Sequence, residues 1–142
     1  MENNNIDIQL NKVSLNLSDS LKFVSSETVG GIVNFVGTVR NHTKGKTVLF
    51  LDFEAYEPMA ISEMHKIARI ALEKFEIHKI AIHHRIGTLS IGEIPIIISV
   101  SSSHRNAAFE ACQFAIDTLK KTVPIWKKEH FEDGEIWISA NQ

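Results

Sequence analysis

Cysteine is nearly missing: Cys112 is the only one in 142 residues. That excludes an internal disulfide framework and any multi-cysteine zinc or iron–sulfur centre, and it fits a reducing compartment. Long apolar runs are missing as well. The longest, Ile94-Pro95-Ile96-Ile97-Ile98, falls far short of the roughly 20 residues that cross a bilayer. Met1-Glu2-Asn3-Asn4-Asn5 does not open a signal peptide, so a cytoplasmic location without membrane attachment is expected. Prolines number three, and no Gly-rich phosphate loop, Ser/His/Asp arrangement, repeat or long linker is recognisable. None of the seven histidines pairs with another at i, i+4 beside a carboxylate, so no metal site is expected. The length suits one domain, 1–142, and 44% hydrophobic against 23% charged residues is a globular balance.

Acids are missing locally, and this absence is the more telling one. Residues 28–51, 94–109 and 118–128 hold none of the 17 acidic residues but eight of the 15 lysines and arginines. A fold that brings these windows together would give a mildly acidic protein, of net charge −2, one concentrated cationic pocket. Such a pocket suits a small anion better than a long polyanion.

Periodicity orders the chain as β-α-β-β-α-β-β-α-β-β. Ile6 to Leu10 alternates as a strand, and Ser18-Asp19-Ser20 offers a cap for a short helix reaching about Ser26. Ile32 to Val39 and Val48 to Tyr56 read as strands around the polar hairpin loop 41–46. A helix is expected from about Pro58 to Phe75, with Ala60, Met64, Ile67, Ala68 and Ala71 on one face. Strands at Ile77 to Arg85 and Glu93 to Ser102 flank turn signals at Gly87 and Gly92. A last helix, His104 to Thr122, stops before Pro124, and Ile125 to Phe131 and Glu135 to Ser139 form a hairpin around Glu132-Asp133-Gly134. Paired strands between helices predict an α+β fold with a mostly antiparallel sheet.

Three segments carry candidate chemistry. Ser101-Ser102-Ser103-His104-Arg105 stands where a strand passes into a helix, a place for a serine cap and an anion beside free N–H groups. Arg40 ends a strand at the sheet rim, with the planar donor fork that suits phosphate. Lys120-Lys121-Thr122-Val123-Pro124-Ile125-Trp126-Lys127-Lys128 spans a helix end and a proline break, so Lys120 and Lys127 can approach one pocket from two directions, with Trp126 as a flat wall. A lysine desolvated beside another cation has a lowered pKa and can act as a nucleophile or proton donor. The same residues also read as a capped helix and solvated surface charge. Cys112 falls on an apolar helix stripe, where a thiol acts as a small hydrophobe.

Taken together, F-x-G-x-V-R-N-H at 35–42, E-x-Y at 54–56, H-R-I-G at 84–87, S-x-H-R at 102–105, A-F-E-A at 108–111 and K-x(3)-P-x-W-K-K-E at 120–129 resemble the catalytic subunit of molybdopterin synthase. The resemblance implies an α/β hammerhead with an additional, mostly antiparallel sheet. It implies a sulfurtransferase that converts cyclic pyranopterin monophosphate to the molybdopterin dithiolene. Sulfur would come from the C-terminal Gly-Gly thiocarboxylate of a small ubiquitin-like partner, within a 2:2 assembly built on a homodimer and with no cofactor of its own. By the same resemblance, Lys120 and Lys127 are catalytic, and Thr38, Val39, Arg40, His104, Arg105, Lys120, Lys127, Lys128 and Glu129 bind substrate. Some members carry an arginine shortly after the last tryptophan; here Trp137-Ile138-Ser139-Ala140-Asn141-Gln142 has no basic residue. A non-catalytic anion-binding or partner-docking domain of the same fold is the alternative, and a nucleic-acid binder using the lysines and Trp126 is the weaker third.

Overall fold

A computed structural model of the chain describes residues 4–139; the end of the segment after Trp137, and the first three residues, lie outside it. The architecture is α+β. Strands β1 (Ile6–Asn11), β5 (Lys79–Arg85), β7 (Ile96–Ser102) and β2 (Gly31–Gly37) form one sheet in the order β1-β5-β7-β2. In this sheet β1 runs parallel to β5, and the other pairs are antiparallel. In the second sheet, β4 (Lys46–Ala55) pairs with β3 (His42–Thr43), β6 (Gly87–Ser90) and β8 (Ile125–Phe131), and β8 pairs with β9 (Gly134–Ser139); every pairing is antiparallel.

Helices α2 (Glu57–Lys74) and α3 (Arg105–Thr122) lie on one face of the first sheet, and the short α1 (Leu17–Val24) lies against β5 and β7 on the other. This layering explains why β7 is buried along its whole length. Ile96, Ile98 and Val100 alternate into the main core with Met64, Ile67 and Ala111. Their neighbours Ile97, Ser99 and Ser101 face α1, where Ser99 Oγ meets Ser20 Oγ at 2.9 Å and donates to Asn34 Oδ1 at 2.6 Å. The buried cluster also takes in Val48, Leu51, Phe53, Ile125 and Phe131 of the second sheet, so the two sheets share a continuous apolar interior.

Local chemistry moves several boundaries from their expected places. The cap of α1 is Asn16, whose side chain accepts from Ser18 N at 2.8 Å, and the helix ends at Val24 rather than Ser26. The serines before α3 do not cap it. His104 holds the N-cap position without a side-chain cap bond, and Ser102 Oγ instead donates to the His104 carbonyl at 2.5 Å. Strand β6 falls where the sequence shows only glycine turn signals; it is four residues long and exists by pairing with Phe50–Phe53 of β4. β7 starts at Ile96 because Glu93 is engaged elsewhere: it accepts from Arg85 Nη1 at 2.8 Å and from Ser90 N at 2.6 Å.

Gly30 joins α1 to β2 at a close approach. Its N–H donates to the Ser102 carbonyl at 2.9 Å, and a Cβ added there would lie 2.4 Å from the Ser103 carbonyl oxygen. A backbone atom cannot swing aside as a side chain does, so Gly30→Ala is expected to destabilise the fold by about 1–3 kcal/mol, the usual cost of overpacking. Urea unfolding at equilibrium measures this, and an unchanged midpoint would show that the turn relaxes freely.

Candidate functional site

Between the two sheets, at the C-terminal end of α3, lies a cavity of about 430 Å³. Six separate parts of the chain build it. The end of β2 and the residues after it bring Phe35, Gly37, Thr38 and Arg40; β4 brings Leu51 and Phe53; the last turn of α3 brings Lys120; and β8 brings Lys127. His84 of β5 and Ile96 of β7, paired across the first sheet, complete the wall. Gly37 is required here by contact rather than by backbone angle, since a Cβ would come 2.8 Å from Ile96 Cγ2. Three cations line the cavity, and no carboxylate is among the lining residues.

The lysines therefore converge as their spacing predicts. Lys120 is exposed at the open rim, yet the surrounding walls desolvate its ammonium and Lys127 adds like-charge repulsion. Together these hold Lys120 below the ordinary lysine pKa, with desolvation the larger cause. Lys127 has an acidic neighbour on the same face of β8: Glu129 Oε1 stands 3.6 Å from Lys127 Nζ. Glu129 is 3% exposed, and its other oxygen has no hydrogen-bond partner among the described residues. The carboxylate sits behind Lys127 as a fixed countercharge instead of facing the cavity.

Strand alternation sends the neighbouring residues elsewhere. Lys128 lies on the opposite face of the sheet from Lys127 and pairs with Glu135 at 2.9 Å; on that face His130 Nε2 also meets Asp52 Oδ2 at 2.8 Å. Trp126, expected as a cavity wall, is 44% exposed on that outer face; Phe35, Leu51 and Phe53 form the wall in its place. Val39 is 3% exposed in the core, and both of its backbone groups are used, N–H to the Glu93 carbonyl and C=O from Gly92 N–H. It supports the segment that presents Thr38 and Arg40.

His104 and Arg105 are not at this cavity. They stand at the N-terminal end of α3, against Gly31 at the start of β2, while Lys120 is on the last turn. At 1.5 Å per residue, His104 and Lys120 are separated by about 24 Å along the helix. The acid-free windows thus make two cationic regions in one chain rather than one. His84 is the cavity residue that the sequence reading left without a role. The signal for it was the H-R-I-G motif, whose histidine falls on the buried face of a strand.

Cys112 is buried, with its Sγ 3.9 Å from the Ile98 carbonyl, and burial pushes the thiol pKa up to about 11. It stays protonated near neutral pH and has no access to the cavity chemistry.

Residues 10–122 match the family model described as MoaE protein. The chain belongs to the MoaE family. It is 48% identical over 130 residues to the molybdopterin synthase catalytic subunit of Bacillus subtilis (strain 168), covering 92% of this chain and 83% of that one. Molybdopterin synthase from Staphylococcus aureus superposes with a TM-score of 0.87 at 39% identity, over 91% of this chain and 94% of that chain. A complex of subunits 1 and 2 of molybdopterin-converting factor from Helicobacter pylori 26695 shares the fold at 22% identity and a TM-score of 0.76, over 92% of this chain and 88% of that one. The family is that of the catalytic subunits of molybdopterin synthase, enzymes of molybdenum cofactor biosynthesis, so the cationic cavity is a candidate for their active site.

Because Lys127 lowers the Lys120 pKa through space and desolvation lowers it further, Lys127→Ala should raise that pKa while leaving it below the value of a free lysine. At a fixed alkaline pH the variant then carries more Lys120 ammonium than the parent. An NMR titration of the Lys120 ε-position in both proteins checks the sign, and an unmoved pKa would mean that the two ammonium groups do not sense each other.

Proposed function

We propose that the cavity is where sulfur passes from the thiocarboxylated C-terminus of a small ubiquitin-like subunit to cyclic pyranopterin monophosphate, two transfers giving the dithiolene of molybdopterin. The observation that carries this reading is the grouping of Arg40, Lys120 and Lys127 around one cavity without a facing carboxylate. Opening a cyclic phosphate converts a monoanion into a monoester that approaches a dianion, so fixed cations bind the reaction's later states more strongly than its start. Only such differential binding accelerates the chemical step. Arg40 offers its donor fork to the phosphate at the rim. Lys127, steadied by Glu129, supplies charge, and Lys120, with its weakened hold on a proton, is suited to move one at the reacting carbons. The partner's terminal glycines let an extended tail pass close to the cavity walls, and its anionic end is drawn to the same cations. Cys112 takes no part, since the sulfur arrives already bound to the partner.

The reading extends to a homodimer within a 2:2 assembly. His104 and Arg105 serve the same substrate as Lys120 only when a second copy presents its own α3 N-terminus near the first copy's cavity, because about 24 Å of helix separates them within one chain. One continuous core supports treating 1–142 as one domain in that assembly.

Two outcomes are expected. Lys127→Ala loses conversion by several orders of magnitude with an unchanged fold, because a cation at developing charge contributes several kcal/mol to a transition state. Lys121→Ala, on the exposed side of the same helix turn, stays close to the parent. Dithiolene formation from purified chain, thiocarboxylated partner and precursor measures both, and near-normal turnover by Lys127→Ala removes it from the mechanism. The dimeric part is tested by mixing. Lys127→Ala and Arg105→Ala, each inactive alone, should on random exchange of subunits recover about a quarter of parental activity, since half the dimers are mixed and each mixed dimer keeps one intact site. No recovery in demonstrably mixed dimers would overturn a site shared across the dimer.

A further inference from the structure

His84 is a buried ring in a cavity of donors. It is 3% exposed, lines the same space as Arg40, Lys120 and Lys127, and meets Phe53 edge-on with ring centroids 5.6 Å apart. Its Nδ1 lies 2.8 Å from the Arg85 carbonyl oxygen. A carbonyl only accepts, so Nδ1 carries the proton, and in a neutral imidazole Nε2 is then the acceptor. Burial, with a smaller contribution from Lys120, lowers the His84 pKa to about 4, which keeps the ring neutral at physiological pH. Nε2 has no hydrogen-bond partner among the described residues.

The other polar side chains of the cavity have the opposite character. Arginine and protonated lysine donate and do not accept, and the Thr38 hydroxyl does both. A phosphate needs only such donors. The rest of a reduced pterin does not: its ring amide, ring amine and exocyclic amino group all present N–H groups that need acceptors once water is displaced. His84 Nε2 is the one side-chain nitrogen acceptor on the cavity wall among the described residues.

We propose that His84 is a specificity-determining residue of this cavity, its Nε2 accepting an N–H of the bound pterin while the cations hold the phosphate. The inference rests on the pterin phosphate reading given above and adds to it a division of labour. Cations set affinity for the anion, and His84 separates a pterin phosphate from other phosphates of similar charge. A site built to hydrogen-bond a donor discriminates strongly, because an unmatched ligand leaves one of the two groups unpaired.

Two substitutions separate the two nitrogens. In His84→Asn the amide reaches the position of Nδ1 and can keep the bond to the Arg85 carbonyl, but nothing replaces Nε2. In His84→Gln the longer side chain places an amide oxygen near the position of Nε2. Titration calorimetry is carried out on the assembly with the partner in its unreactive carboxylate form, using cyclic pyranopterin monophosphate and inorganic phosphate as separate probes. We expect His84→Asn to bind the pterin phosphate about 10- to 100-fold more weakly, His84→Gln to stay within about threefold of the parent, and inorganic phosphate to bind all three alike. His84→Phe, which keeps a ring against Phe53 without any acceptor, should lose pterin affinity as His84→Asn does, and it stands in if the asparagine variant does not fold. Parental pterin affinity in His84→Asn or His84→Phe overturns the proposal. So does a loss shared equally by both probes, or one seen equally in His84→Gln, since either marks a structural role. A parent assembly that binds inorganic phosphate but not the pterin phosphate overturns the substrate reading itself, a result distinct from the others.

Discussion

The register of β8 on β4 is the constraint on which the site depends. Phe53 stands opposite Lys127, Asp52 opposite Lys128 and Leu51 opposite Glu129. Cross-strand partners share a face, so this register turns Lys127 and Glu129 inward and Lys128 and His130 outward. A slip of one residue would exchange the two sets, putting Lys128 at the cavity and its neighbour in solvent. Several contacts oppose such a slip. Ile125, Phe131, Val48, Leu51 and Phe53 belong to the buried cluster, while on the other face His130 stacks on Phe50 with centroids 4.1 Å apart and bonds Asp52 at 2.8 Å. Apolar burial and a polar pair on opposite faces thus select the same alignment.

A cavity of one charge sign opposes its own assembly, and its placement reduces that cost. Lys120 sits at an open rim where water still reaches it, and Lys127 is backed by a carboxylate that is itself buried. Arg40 extends from a segment anchored by Val39. The cations are brought near one another without any being sealed away, which keeps repulsion moderate and leaves the field available for an anionic ligand. Charges on the outer face of the same sheet are handled differently, by direct pairs such as Lys128 with Glu135, and do not line the cavity.

Much of this was legible in the sequence because the relevant signals are local. Apolar spacing gave both long helices nearly to the residue, and β-branched runs gave the main strands. The convergence of Lys120 and Lys127 followed from a helix end, a proline and a strand start lying within eight residues. What was not legible depends on pairing between distant segments. Nothing within Gly87–Ser90 marks it as a strand, since β4 creates it. Trp126 and Lys127 are adjacent, and only the sheet decides which of them faces the cavity. The two ends of α3 could be recognised as cationic, but their separation by the full helix length becomes visible only when the cavity is located at one end. His84 illustrates the same limit: its motif was recognisable, while the role of its ring depends on a carbonyl contact and on the company it keeps across two sheets.

The first sheet is covered unequally, and this shapes how the molecule can open. On one side α2 and α3, each 18 residues long, bury a continuous apolar surface. On the other, α1 is eight residues long, its fully buried residues are Ser20 and Val24, and it rests on a layer in which Ser99, Ser101 and His83 accompany Ile97 and Ala81. Ser101 Oγ has no hydrogen-bond partner among the described residues. With two buried residues on α1 against five on each long helix, less apolar area is uncovered when α1 lifts than when α2 or α3 does, so local opening costs least on that side. The cavity lies across the sheet, on the α3 side. Thermal breathing can therefore expose the back of β7 while the cavity on the other face remains assembled.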